Sequence, residues 1–245
     1  MDGKGFVILA RCQQRSHGAA LDTKRGAEMA AQAWHTHPMN RPATILYHVH
    51  DPMCSWCWGF RRSWEKLREA LPAAIKVVNV VGGLAPDSDQ AMPADQQKTI
   101  AGYWASVSEQ TGAEFNFDFW TNCSPRRSTY PACRAVLAAC RQNAEQAMID
   151  AIQHAYYLRA MNPSDNSTLI ELAGELGLDA ERFSVDLVSR EIEERLDENF
   201  VLRRRLGVRQ FPSLVLAQGK SLFPIAVDYK SHLPMLDAIS ELLVE

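Results

Sequence analysis

Two cysteines separated by two residues, Cys54 and Cys57, stand between the strand-like run Thr44–His50 and a helix-like run over residues 58–71. No other feature constrains the chain as much. A pair with this spacing at the start of a helix puts Cys54 at the exposed first position and Cys57 about one turn further in, close enough for a small, reversible disulfide. The first turn of a helix has unpaired N–H groups and the positive end of the backbone dipole. Both favour a thiolate at Cys54 and lower its pKa, as an attacking sulfur requires near neutral pH.

A cysteine pair of this kind is also half of a zinc site, or a dithiol with no redox role. A structural zinc needs two further Cys or His ligands, usually as another tight pair. Cys12, Cys123, Cys133 and Cys140 form no such pair, and His48 and His50 lie too close in the chain to complete a familiar finger. No metal is expected. Strand, Cys-x-x-Cys and helix in succession are the signature of thioredoxin-like redox proteins. On the strand, His48 lies six residues before Cys54. It reads either as a satisfied buried imidazole or as a proton acceptor for Cys57, whose buried thiol must lose a proton during exchange.

The 245 residues are long enough for one domain with an insertion, or for two. The net charge of −3 offers no electrostatic case for nucleic acid or an anionic membrane surface. No apolar run approaches the roughly 18 residues of a membrane span. The early apolar run over residues 6–10 is shorter than the core of a signal peptide. A cytoplasmic location is therefore expected, with most cysteines reduced. Residues 1–40 read as a flexible extension, with a later start at Met39 or a transit peptide as alternatives.

Further along, residues 76–81 form a β-branched run closed by Gly82 and Gly83, which completes a βαβ unit. Helical patterns follow from about residue 94 to 204. Phe115, Phe117, Phe119 and Trp120 form an aromatic cluster suited to core packing or to the floor of a groove. Thr168 to Glu171 has the form of a capping box, and Val188, Ile192, Leu196 and Phe200 make one apolar stripe of a long helix. Cys133 and Cys140, about 10 Å apart along a helix, are beyond disulfide reach of each other and read as small buried hydrophobes. Strand chemistry then returns over residues 213–217 and 221–227, with a final helix over about 231–243. The order is βαβ, helical insert, ββα: an α/β thioredoxin-like fold with an inserted all-helical domain. Its parts are the first thioredoxin-like half at 41–93, the insertion at 94–204 and the second half at 205–245.

Three segments resemble the DsbA-like family of thiol-disulfide oxidoreductases, and its cytoplasmic, predicted disulfide-isomerase or FrnE-like branch in particular. They are residues 51–60 around the cysteines, residues 128–135 in the insert, and residues 207–212 ending in Phe211-Pro212. The resemblance implies that Cys54 attacks, Cys57 resolves, and Pro212 is a cis-proline facing them. A cis bond there would turn the Phe211 backbone toward an extended substrate. Ser55, Trp56, Phe211 and Pro212 are the candidate substrate-binding residues, Trp56 and Phe211 as an apolar rim. Two departures from the family matter. Ser55-Trp56 replaces the Pro-His of periplasmic DsbA proteins, and His48 replaces the usual buried acid.

The expected activity is that of a dithiol-disulfide oxidoreductase or protein-disulfide isomerase. Its partners would be protein or small-molecule thiols and disulfides. No cofactor is expected beyond the redox-active disulfide, with glutathione as a candidate reductant. One alternative is a glutathione-dependent isomerase or kappa-class transferase on the same fold, although such enzymes generally lack the complete cysteine pair. The other is a non-enzymatic adaptor or chaperone that uses the helical domain.

Overall fold

The computed structural model describes residues 43–244, and the extension expected over residues 1–40 lies outside them. A four-stranded sheet has the order β2-β1-β3-β4, built from β1 (Thr44–His50), β2 (Ile75–Val81), β3 (Ser213–Gln218) and β4 (Ser221–Ile225). β1 runs parallel to β2 and antiparallel to β3, and β3 and β4 form the hairpin. The parallel pair is joined by α1 (Ser55–Ala70). Seven helices then stand between β2 and β3: α2 (Ala94–Thr111), α3 (Phe119–Asn122), α4 (Tyr130–Cys140), α5 (Glu145–Tyr157), α6 (Asn166–Glu175), α7 (Ala180–Leu187) and α8 (Arg190–Arg205). The last element is α9 (Leu233–Val244).

Side chains alternate across a strand, so β1 divides its residues between two faces. Leu46 packs with Phe60, Trp64 and Leu67 of α1, and with Met235 and Ile239 of α9. Tyr47 and Val49 pack on the other face with Leu202 and Leu206 of α8. Parity places His48 and His50 on the α1 face, where His48 stacks on Trp64 at 4.2 Å. Both histidines are buried. The polar positions of an otherwise apolar strand therefore lie beneath the helix that carries the cysteine pair.

The insertion has its own core. Trp104 is ringed by Phe115, Phe117, Phe119, Trp120, Tyr156 and Tyr157 at centroid distances of 4.9 to 5.9 Å. Such pairs contribute about 0.5–1.5 kcal/mol each beyond the area they bury. Met53 and Trp58, on either side of the cysteine pair, belong to this same cluster. The cysteine loop is thus packed against the core of the helical insert.

Three local expectations change. α1 begins at Ser55, three residues before position 58, because Cys54 already accepts a helical bond from the Trp58 N–H. Thr168 lies inside α6, whose N-cap is Asp165. The stripe from Val188 to Phe200 is broken at its first member. Ser189 caps α8 by accepting from the Ile192 N–H at 3.2 Å, which ends α7 and leaves Val188 exposed while Ile192 and Leu196 are buried. A local hydroxyl cap prevailed over apolar periodicity there.

Candidate active site

Cys54 is the N-cap of α1, with an extended backbone at φ −87° and ψ 119°. Its N–H donates to the Asp51 carbonyl at 3.0 Å, which closes the turn after β1. Cys57 follows one turn later, and both thiols are free. The expected exposure of Cys54 is much reduced: it is 7% accessible and Cys57 is 4%. The cause is the loop before β3. The Phe211–Pro212 bond is cis, and the Cys54 thiol donates to the Phe211 carbonyl at 3.7 Å. Pro212 is buried and Phe211 is half-buried.

The two sulfurs differ electrostatically. Donation by the Cys57 thiol holds Cys54 below its ordinary pKa, helped by the Cys57 and Trp56 N–H groups and opposed by burial and by the charge of Asp51. Burial, followed by the neighbouring Cys54, pushes Cys57 well above the usual thiol range. The two thiols are thus displaced in opposite directions, Cys54 toward the thiolate and Cys57 toward the protonated form.

Ser55 and Trp56 are half-buried on the first turn, and Trp56 meets Tyr229 edge-on at 5.2 Å. The Phe211 ring turns back against Gly82, where a Cβ would lie 2.2 Å from it. Only a glycine allows that approach. Phe211 therefore meets Cys54 through its carbonyl, with Pro212 next to it in the loop and Ser55 following Cys54 in the chain, while Trp56 packs on Tyr229. His48 sits in the layer below. Its Nδ1 is bonded to Asn79 Oδ1 at 3.1 Å, its Nε2 is buried without a partner, and no described hydrogen bond joins it to Cys57. Burial lowers its pKa to about 4, so the ring is neutral at pH 7.

Three further residues belong to the site. Asp51 is fully buried and accepts from the Met53 N–H at 2.8 Å, the Leu84 N–H at 2.6 Å and the Thr129 hydroxyl at 2.7 Å. Thr129 arrives from the start of α4, 78 positions away. Tyr229 closes the Trp56 side and also packs on Phe60 at 5.9 Å. Asp51, adjacent to the cysteine motif, was the one detectable from sequence: an acid directly after a buried strand needs a partner. Nothing local marks Thr129 or Tyr229.

This fold and this dithiol define a thioredoxin-fold protein of the DsbA-like class. A family model described as thioredoxin matches residues 47–222, and the chain belongs to that family. Among solved structures, a candidate protein disulfide isomerase from Nitrosomonas europaea is 29% identical with a TM-score of 0.72, covering 82% of this chain and 98% of that one. The cytosolic disulfide reductase DsbM from Pseudomonas aeruginosa is 23% identical with a TM-score of 0.68, covering 82% and 100%, and is also known with glutathione. The ClpXP adapter protein SpxH of Bacillus subtilis is 26% identical over 186 residues, or 74% of this chain. The chain spans 60% of the length of that curated relative.

Proposed function

We propose that this protein is a cytoplasmic thiol-disulfide oxidoreductase that exchanges disulfides through Cys54 and Cys57. One observation carries the reading: the Cys54 sulfur, with its lowered pKa, faces the Phe211 carbonyl across the loop ending in Pro212. In the reducing direction the Cys54 thiolate attacks a substrate disulfide, forming a mixed disulfide and releasing one substrate thiolate. Cys57 then gives up its proton and attacks Cys54. The Cys54–Cys57 disulfide forms, and the second substrate thiolate leaves. The neutral His48, on β1 beneath α1, is the candidate acceptor for the Cys57 proton. The Phe211 backbone would pair with an extended substrate, between the rims of Trp56 and Phe211.

Glutathione is the candidate small-molecule reductant, a reading supported by the glutathione-bound relative. The cytoplasmic location is supported by the relative described as a cytosolic disulfide reductase. The decisive experiment is trapping. Cys57→Ser should accumulate mixed disulfides because the resolving sulfur is gone, while Cys54→Ser should accumulate almost none. Equal trapping by both variants would point to general thiol exposure and sink the ordered mechanism.

The likeness to SpxH favours a second reading, an adaptor that holds a partner on its helical insert. Val185 and Val188, 65% and 69% exposed at the α7–α8 corner, offer apolar surface for it. A biological role that survives replacement of both cysteines would select the adaptor.

A further inference from the structure

Asp51 occupies an unusual position for an acid. It immediately follows β1, three residues before the attacking cysteine, and its side chain has no accessible surface. Both carboxyl oxygens only accept: Oδ1 from the Met53 N–H, and Oδ2 from the Leu84 N–H, the Thr129 hydroxyl and, at 3.7 Å, the Cys133 thiol. Two backbone N–H groups and a hydroxyl at 2.6 to 2.8 Å are donors that a carboxylate accepts and a neutral acid largely wastes. No cation is among these partners. Burial pushes the Asp51 pKa up, and these donors pull it back down and favour the carboxylate; the residue adjoins the cysteine loop, with its own carbonyl accepting from the Cys54 N–H at 3.0 Å.

We propose that Asp51 is a positioning and tuning residue that opposes the Cys54 thiolate and so makes the dithiol a stronger reductant. The inference rests on the thiol-disulfide reading of Cys54 and Cys57. Reduction by glutathione breaks the Cys54–Cys57 bond, forms one glutathione disulfide, and moves two electrons and two protons onto the cysteines. At neutral pH part of the reduced protein carries a Cys54 thiolate. A fixed anion nearby raises the energy of that thiolate and leaves the neutral disulfide almost untouched. Equilibrium therefore shifts toward the disulfide, and the reduced protein gives up its electrons more readily. The direction agrees with burial and the Asp51 charge acting together against the other contacts that lower the Cys54 pKa. The same carboxylate also fixes geometry. Its partners come from the β2–α2 connection and from the start of α4, so one group ties the cysteine loop to the insert.

Asp51→Asn removes the charge and keeps the shape. In a glutathione redox titration at pH 7, the variant's equilibrium should move at least tenfold toward the reduced protein, about 30 mV for a two-electron couple. Its Cys54 should also alkylate at lower pH than the parent. A variant that is less stable but has an unchanged constant would show a purely structural role and overturn the proposal. Should the variant fail to fold, the unsubstituted protein gives the answer through the carboxyl carbon of Asp51, labelled with 13C. Coupling is reciprocal, so Asp51 should titrate at higher pH in the reduced protein than in the disulfide form. Identical titrations in the two forms overturn the proposal. A pair that never equilibrates with glutathione disproves the redox reading itself, whereas a normal equilibrium that is insensitive to Asp51→Asn disproves only the role of Asp51.

Discussion

His48 and Asn79 face each other across the parallel β1–β2 register, with Nδ1 and Oδ1 3.1 Å apart. The direction of the bond follows from the next link. Asn79 Nδ2 donates to Glu145 Oε2 at 3.0 Å, so its oxygen is turned toward the histidine. While Glu145 is a carboxylate, His48 must then carry its proton on Nδ1, and the buried Nε2 is left with its lone pair. A strand residue, its neighbour and the first residue of α5 thus select one tautomer, in which Nε2 is the proton-accepting nitrogen.

This burial has a consequence for stability against pH. Folding lowers the His48 pKa from 6.5 to about 4, so between these values the unfolded chain binds the extra proton. Stability should therefore be full above about pH 6.5 and be lost as pH falls toward 4, by up to about 3 kcal/mol from this residue. His50 acts in the same direction. Melting temperatures of the parent and of His48→Phe between pH 4.5 and 7.5 check this. The variant should show the shallower decline, and parallel curves would count against a neutral buried His48.

Reactivity should divide the two cysteines more sharply than exposure does. Cys54 and Cys57 differ little in accessibility, at 7% and 4%, but their pKa values are displaced in opposite directions. Brief iodoacetamide treatment of the reduced protein at pH 7 should modify Cys54 first, with Cys57 at least tenfold slower. Peptide mapping reads the order. Preferential labelling of Cys57 would reverse the roles assigned to the pair.

Much of the fold was legible because its signals are local. Alternation on β1, the β-branched run of β2 and the hairpin turn after β3 depend on neighbours in the chain. So does the contrast between the two halves and the helical insert. The candidate site was legible to the extent that it lies in one segment, residues 51–60, and in the Phe211-Pro212 step. What escaped is tertiary. The bond between Asp51 and Thr129 spans 78 positions, and Tyr229 meets Trp56 only once β4 has turned back. The burial of Cys54 has the same origin, since the loop over it is 157 positions away. At Val188 the local signals conflicted: apolar spacing argued for a continuous helix, and the cap at Ser189 interrupted it.

The reduction potential joins these features in one measurable number. Periplasmic DsbA, whose reduced form is stabilised, lies at about −120 mV and thioredoxin at about −270 mV. Here the helix N-terminus and the Cys57 thiol favour the Cys54 thiolate. Ser55-Trp56 supplies at most a hydroxyl and an indole N–H where periplasmic DsbA has a histidine. Loss of one charge-assisted contact, about 1.5–3 kcal/mol, moves a two-electron couple by roughly 30–65 mV toward thioredoxin. His48 cannot compensate, because burial keeps it neutral at pH 7. The negative charge of Asp51 pushes in the reducing direction as well. The expected potential is therefore about −150 to −215 mV, in the region of glutaredoxins and disulfide isomerases, with Asp51 favouring the lower half. Equilibration against glutathione, read by tryptophan fluorescence from Trp56 and Trp58, measures it. A value above about −130 mV would mean that some other group stabilises the Cys54 thiolate strongly, and the protein would then be a dedicated oxidant.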